Sequence, residues 1–253
     1  MSFNLEGRKA LVTGASRGIG RGIAVAYAQA GADVAVSARD EALLNEVADE
    51  IRALGRKAVV VPADVTDQEQ VASAIQAAAE GLDGLNVLVN NAGGNSFSAP
   101  LAGMRISGWE KTFKLNVDSI VYACQAAAPF LFESGDASVI NVSSIASKGG
   151  IPLMSHYGAA KAAVSSFTQS LAAEWAHQGT RVNSLVPGWV DTDLTEFLRG
   201  SDEVETAVLS RVMLQRWGTV REIAEPAVFL ASNASSFMTG QELVVDGGLS
   251  AQV

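Results

Sequence analysis

The chain has 253 residues, 48% of them apolar, and carries 27 Asp and Glu against 18 Lys and Arg for a formal charge of -9. That length and apolar fraction suit one core and one domain spanning 1–253, while the acidic excess opposes the counterion release behind phosphate-backbone binding and argues against a nucleic-acid partner. A single cysteine, Cys124, excludes an internal disulfide, and no Cys/His cluster has zinc spacing, so a cytoplasmic chain without metal is expected.

The first seven residues lack the basic-then-apolar order of a signal peptide, and glycine or charge interrupts every apolar run before the roughly 20 residues a bilayer requires. No membrane partner is predicted. Short β-branched runs then alternate with longer helical patterns: strand 9–13, helix 20–30, strand 33–37, helix 40–54, strand 58–61, helix 67–80 and strand 87–90. The second half continues with helix 107–132, strand 138–142, helix 155–177, strand 181–186, helix 221–230 and strand 243–245. Runs such as Val34-Ala35-Val36 and Val59-Val60-Val61 are apolar throughout, as expected of strands covered on both faces. The pattern predicts a doubly wound α/β fold of the Rossmann type, with seven mainly parallel strands. Segment 190–218 is the least regular and follows a strand's carboxyl end, where ligands of such sheets bind, so it reads as a variable substrate loop.

Between the first strand and first helix stands Thr13-Gly14-Ala15-Ser16-Arg17-Gly18-Ile19-Gly20, where a helix N-terminus can receive a diphosphate. The GxxxGxG spacing differs from GxGxxG, and its place after a strand gives it weight. The second strand ends in Ser37-Ala38-Arg39, without the acid that would grip a ribose 2′-hydroxyl and repel a 2′-phosphate. Arg39 and Arg17 can pair with that phosphate, which favours NADP(H), while Asp40 reads as the cap of the next helix.

Tyr157 and Lys161 stand four apart on one helical face, so an ammonium can favour the phenolate and bring the tyrosine toward neutral pH. The pair alone is common. Around it lie Asn90-Asn91-Ala92-Gly93 after the fourth strand, Asn141-Val142-Ser143-Ser144 after the fifth and Pro187-Gly188 after the sixth, all at one sheet edge. In order and spacing these motifs resemble, across essentially the whole chain, the short-chain dehydrogenase/reductase family.

The resemblance implies that Tyr157 protonates a carbonyl oxygen in reduction, Ser144 hydrogen-bonds the same oxygen, and Lys161 holds the nicotinamide ribose while lowering the tyrosine pKa. Asn116 is implied to perturb a helix and hold a water linking Lys161 to solvent, and spacing to the tyrosine selects Ser144 over Ser143. The cofactor would contact Gly14, Ser16, Arg17, Gly18, Ile19, Gly20, Ser37 and Arg39. Asp64 and Val65 would lie by adenine; Asn91, Ala92 and Gly93 along the ribose and nicotinamide side; Pro187, Gly188, Val190 and Thr192 near the carboxamide. His156, Cys124 and His177 read as structural.

The expected activity is NADP(H)-dependent reduction of a ketone or aldehyde. An NAD-dependent alcohol dehydrogenase, a 3-oxoacyl-acyl-carrier-protein reductase and a nonenzymatic nucleotide sensor are the rivals. Trp189, Leu194, Phe197, Leu198, Leu209, Met213 and Trp217, with Phe97, Leu153 and Met154, suggest an apolar substrate pocket or ordinary core. The resemblance also implies a homotetramer through the two long helices. Against a carrier-bound substrate stand Glu133 and Asp136 before the fifth strand and Ala176-His177-Gln178-Gly179, where carrier reductases present basic residues.

Overall fold

The structure, a computed structural model, describes residues 3–251, and the side chains of Leu194 and Phe197 are not among those described. Seven strands form one sheet: β1 (Lys9–Thr13), β2 (Asp33–Ser37), β3 (Ala58–Val60), β4 (Val87–Asn90), β5 (Ala137–Val142), β6 (Thr180–Pro187) and β7 (Glu242–Val245). Their order is β3-β2-β1-β4-β5-β6-β7 and every pairing is parallel. The direction of winding therefore reverses between β1 and β4, which opens a crevice beyond their carboxyl ends.

The all-apolar strands divide between two cores by their two-residue period. Ala10, Val12, Val34, Val36, Val87 and Val89 point into the layer that holds α1 (Gly18–Gln29), α2 (Glu41–Ala53) and, later in the chain, Val220–Ala231. Leu11, Ala35 and Leu88 point the other way, onto α3 (Gln68–Leu82), helix Ser119–Ser134 and helix Ser155–Trp175. Burial on both faces is what requires a strand with no polar side. Helix starts follow their capping chemistry: Asp40 accepts the Leu43 N–H, and Asp67 accepts those of Glu69 and Gln70.

The helix expected over 107–132 is three pieces, α4 (Ile106–Phe113), a π turn (Lys114–Asp118) and α5 (Ser119–Ser134). The continuous run Ile106–Ser134 is long and apolar enough to match a membrane span by length and composition, which corrects the expectation that no stretch would. Ile120, Ala123, Cys124, Ala127 and Leu131 nevertheless lie buried in the second core, as a core helix requires. After α6 (Ser155–Trp175), segment 190–218 forms α7 (Glu196–Arg199) and α8 (Asp202–Leu209), and its ends meet in a Val190–Gly218 bridge. Helix α9 (Val220–Ala231) starts with a reciprocal Thr219/Glu222 capping box.

Candidate active site

The carboxyl ends of β1, β4, β5 and β6 converge on a groove of two connected cavities of about 600 and 540 Å³. Arg17, Gly93, Gly94 and Ser96 border both, so they form one continuous trough. The first cavity is lined by Arg17–Gly20, Asn91, Ser144, Tyr157, Lys161, Pro187, Gly188, Val190 and Thr192. The second is lined by Gly14, Ser16, Arg39, Asp64, Val65 and Ala92. Those sequence-predicted residues thus share one surface.

The glycine loop is fixed from behind by β4. Asn91 donates its side-chain amide to the Thr13 carbonyl at 2.9 Å and the Gly14 carbonyl at 3.2 Å, while Thr13 Oγ1 accepts the backbone N–H groups of Asn91 and Ala92. At Gly20 a Cβ would collide with the Gly14 carbonyl and the Asn91 amide, so the residue type is forced by packing. Gly18, at φ +54°, faces open groove with only Thr192 nearby. A diphosphate can approach that stretch of backbone at the start of α1.

At the far end Arg39 is exposed. It helps hold Asp64 below the usual carboxylate range, although the larger cause is the pair of hydrogen bonds Asp64 accepts from Thr66 N–H and Oγ1 at 2.9 and 2.8 Å. Asp64 is thus both an Asx turn and a groove wall. Arg17 leans across the mouth toward Asp193 at 3.7 Å, with both side chains largely exposed, a pairing worth little in water. Ser37 corrects an expectation. Its side chain is buried away from the trough, and it acts through its carbonyl, which accepts the Ala15 N–H at 3.1 Å.

Lys161 is 3% exposed and donates Nζ to the Val142 carbonyl at 2.9 Å. Burial pulls its pKa down to about 8. Nζ lies 5.8 Å from the centroid of the Tyr157 ring. Burial pushes the Tyr157 phenol up, and a hydrogen bond from Ser144 offsets part of that rise. This reverses the sign expected from the Lys/Tyr spacing, because desolvation outweighs the Ser144 contribution.

The two candidate serines separate cleanly. Ser143 commits its hydroxyl to the Lys161 carbonyl at 3.0 Å and its N–H to Leu185, whereas Ser144 stands next to the phenol. Asn116 lies fully buried in the π turn, accepting the Gly94 N–H at 2.9 Å and donating to the Gly94 and Thr112 carbonyls at 3.0 Å each. A Cβ at Gly93 would come within 2.7 Å of Asn116 Oδ1 and 3.2 Å of Lys161 Nζ, so glycine makes the room for both. Behind them, Asn90 donates to Asn141 at 2.8 Å and Asn141 to Thr168 at 2.9 Å. Asn90 also donates to Cys124, whose thiol burial pushes up to about 12, which leaves it protonated and inert.

The residues that suggested an apolar pocket or ordinary core fall mostly outside the reactive cavity. Of the ten candidate residues only Phe97 lines the reactive cavity, while Leu194 and Phe197 lie outside the described side chains. Trp189 and Trp217 meet edge to face at 6.3 Å, with Trp217 Nε1 donating to Glu205. The cavity that holds Ser144 and Tyr157 is also lined by Asn95, Ser96, Phe97, Ser98, Thr192 and Thr195, within a surface that is more apolar than polar. Asn95, Ser96, Ser98 and Thr195 were missed by sequence reasoning. The available signal was the small polar run directly after Asn90 to Gly94; nothing distinguished Thr195, whose hydroxyl donates to the Val190 carbonyl at 2.7 Å.

Comparison with known proteins adds four relationships. A family model described as enoyl-(acyl carrier protein) reductase matches residues 14–250. A gluconate 5-dehydrogenase of Gluconobacter oxydans is 37% identical over 98% of this chain and 96% of its own, and a 3-oxoacyl-[acyl-carrier-protein] reductase of Chlamydia pneumoniae is 37% identical over 98% and 99%. A solved gluconate 5-dehydrogenase from Burkholderia cenocepacia, in complex with NADP and tartrate, superposes with a TM-score of 0.95 at 36% identity, covering 99% of this chain and 98% of that one.

Proposed function

The chain belongs to the short-chain dehydrogenase/reductase family, and on that premise we propose that it reduces a small ketone or aldehyde with NADPH, Tyr157 serving as general acid. The observation that carries this reading is the meeting of Ser144, Tyr157 and Lys161 on the same cavity as the Arg17–Gly20 turn. The trough fits a dinucleotide: open backbone at Gly18 for the diphosphate, Asp64 and Val65 for the adenosine end, and Arg39 for a 2′-phosphate. Solved relatives with bound NADP support that cofactor. When bound, NADPH supplies the hydride.

The protein's part is to position the carbonyl and move one proton. Burial favours the neutral phenol, so Tyr157 enters the reaction protonated and donates to the oxygen as charge develops there. Ser144 donates a second hydrogen bond to the same oxygen. Lys161, cationic below its pKa of about 8, stabilises the phenolate left behind and is placed to hold the nicotinamide ribose. Asn116 fixes the Gly94 backbone beside them, and its π turn is the helix perturbation implied by the resemblance. The lining mixes Asn95, Ser96, Ser98 and Thr195 with Phe97, Val142 and Val190, which suits a compact carbonyl compound carrying both polar and apolar groups.

Charge favours a free substrate over one held on an acidic carrier. The turns at 133–136 and 176–179 lie side by side, joined by the Ala137 N–H to Gly179 carbonyl bond at 3.1 Å. They expose Glu133, Asp136, His177 and Gln178 but lie at the sheet edge opposite Tyr157, so the opposition to an acidic carrier comes from the net charge of -9. Carbonyl compounds, including matched 3-oxoacyl groups free and carrier-bound, can be assayed with NADPH and NADH by nicotinamide absorbance. NADPH and the free form are expected to give the higher kcat/KM. Equal use of NADH overturns the cofactor reading, and preference for the carrier-bound form overturns the substrate reading.

A further inference from the structure

The loop that follows β4 carries much of the substrate-facing wall, and the catalytic helix holds it through a residue the mechanism does not use. His156, one position before Tyr157, is 0% exposed and does not line the cavity. Its Nε2 bonds Asn95 Oδ1 at 2.9 Å, and its ring stacks on Phe97 with centroids 4.1 Å apart and planes 17° from parallel. The Phe97 ring in turn reaches Gly108 of α4, where a Cβ would sit 2.9 Å from Cζ. Two residues further, the Ala99 N–H donates to the Leu153 carbonyl at 3.0 Å. Leu153 adopts φ +68°, a left-handed conformation that a non-glycine residue keeps where its surroundings impose it.

Asn116 holds the near end of this loop at Gly94, Leu153 the far end at Ala99, and His156 the middle. Asn95, Ser96, Phe97 and Ser98 between those anchors face the cavity next to Ser144 and Tyr157. Successive residues on a helix diverge by about 100°, so the tyrosine can point into the cavity while its neighbour points under the loop. We propose that His156 is a positioning residue that registers the loop 94–99 against the catalytic helix and thereby sets affinity for the carbonyl substrate, without touching substrate, cofactor or the reacting atoms. The inference rests on the reading of the cavity as a substrate site. Burial holds the imidazole pKa below its ordinary value, with the Phe97 backbone opposing, so the clamp is built from the neutral ring.

The test compares His156→Phe, which keeps an aromatic ring against Phe97 and deletes the bond to Asn95, with Asn95→Ala and the double variant. His156→Phe is expected to raise carbonyl KM about fivefold, close to the 1 kcal/mol worth of one hydrogen bond at 1.4 kcal/mol per decade. Its kcat and its Kd for NADPH should stay within about twofold of the parent. In an Asn95→Ala background the same change should add nothing further, because both remove one interaction. Amide hydrogen exchange at 95–99 reads the loop without turnover and should speed up in both single variants. Unchanged exchange, additive KM effects, or a fall in kcat with KM untouched each overturn the proposal. If the parent protein turns over no carbonyl at all, the functional reading fails, and the exchange experiment still decides the clamp.

Discussion

The inner wall of the cavity differs in kind from segment 190–218 that borders it. On the inner wall Asn91, Asn116, Ser143 and Lys161 commit polar side-chain atoms to named backbone groups, and glycine is forced where two such contacts crowd together. The outer segment has such bonds near its start, from Thr195 to the Val190 carbonyl and Arg199 to the Thr192 carbonyl, and beyond them relies on pairs such as Arg199–Asp191, the edge-to-face contact of Trp189 with Trp217, and an isolated bridge at its base. Its helix α8 has no buried residue. Backbone-directed hydrogen bonds specify residue type and spacing, whereas side-chain packing on a mobile-length connection can be met by many residues. Under the proposed function, the first region carries the chemistry and the second is the part free to vary with the substrate.

That division can be broken most directly at Tyr157. Tyr157→Phe deletes only the hydroxyl and is expected to lower kcat by at least about a hundredfold with the fold intact by circular dichroism. A folded variant that retains half the parent turnover removes Tyr157 from the proton path. Next in size is Arg39→Ala, expected to narrow the NADPH-over-NADH preference in kcat/KM by about tenfold, one charge-assisted contact. If the ratio does not move, Arg39 is a solvated surface charge and the cofactor is chosen elsewhere. The smallest effect belongs to the outer segment. Glu205→Gln weakens the bond from Trp217 Nε1 and should shift carbonyl KM by less than about threefold with kcat unaltered. A loss approaching that of Tyr157→Phe would show that the two regions are not separable.

Legibility follows the same line. Strands 9–13, 33–37 and 87–90 match β1, β2 and β4, because each is an apolar run buried on both faces with a polar residue, Thr13, Ser37 or Asn90, marking its carboxyl end. Asp40 was legible as a cap because it follows a strand end and starts a helix. Ser144, Tyr157 and Lys161, which line one cavity, were singled out by several motifs together, since the Tyr/Lys spacing alone is common. The sign of the Tyr157 shift was not legible, since it depends on how deeply the ring sits, and spacing carries no information on depth. Ser37 was misplaced because a residue at a strand end can face the groove or the core, and a one-position change of alternation decides which. The substrate wall was missed because Asn95, Ser96 and Ser98 are types common to any exposed loop. His156 was set aside as structural from its angular offset to Tyr157, and the offset is what directs it beneath Phe97.

The π turn at Lys114–Asp118 also constrains how this chain can change length. A π turn holds one residue more than the α turn it interrupts, and each helical residue turns the axis by about 100°. Removing one residue from that turn would leave α4 and α5 in phase on an unbroken helix, with Trp109 still on Phe113 and Ile120, Ala123 and Leu131 still buried. Asn116 would lose its aim at Gly94 in the same step. A deletion inside α4 or α5 has no such slack and would rotate one end of the helix by about 100° against the other. The π turn is thus where this helix can lose a residue and keep its packing, losing the Asn116 contacts.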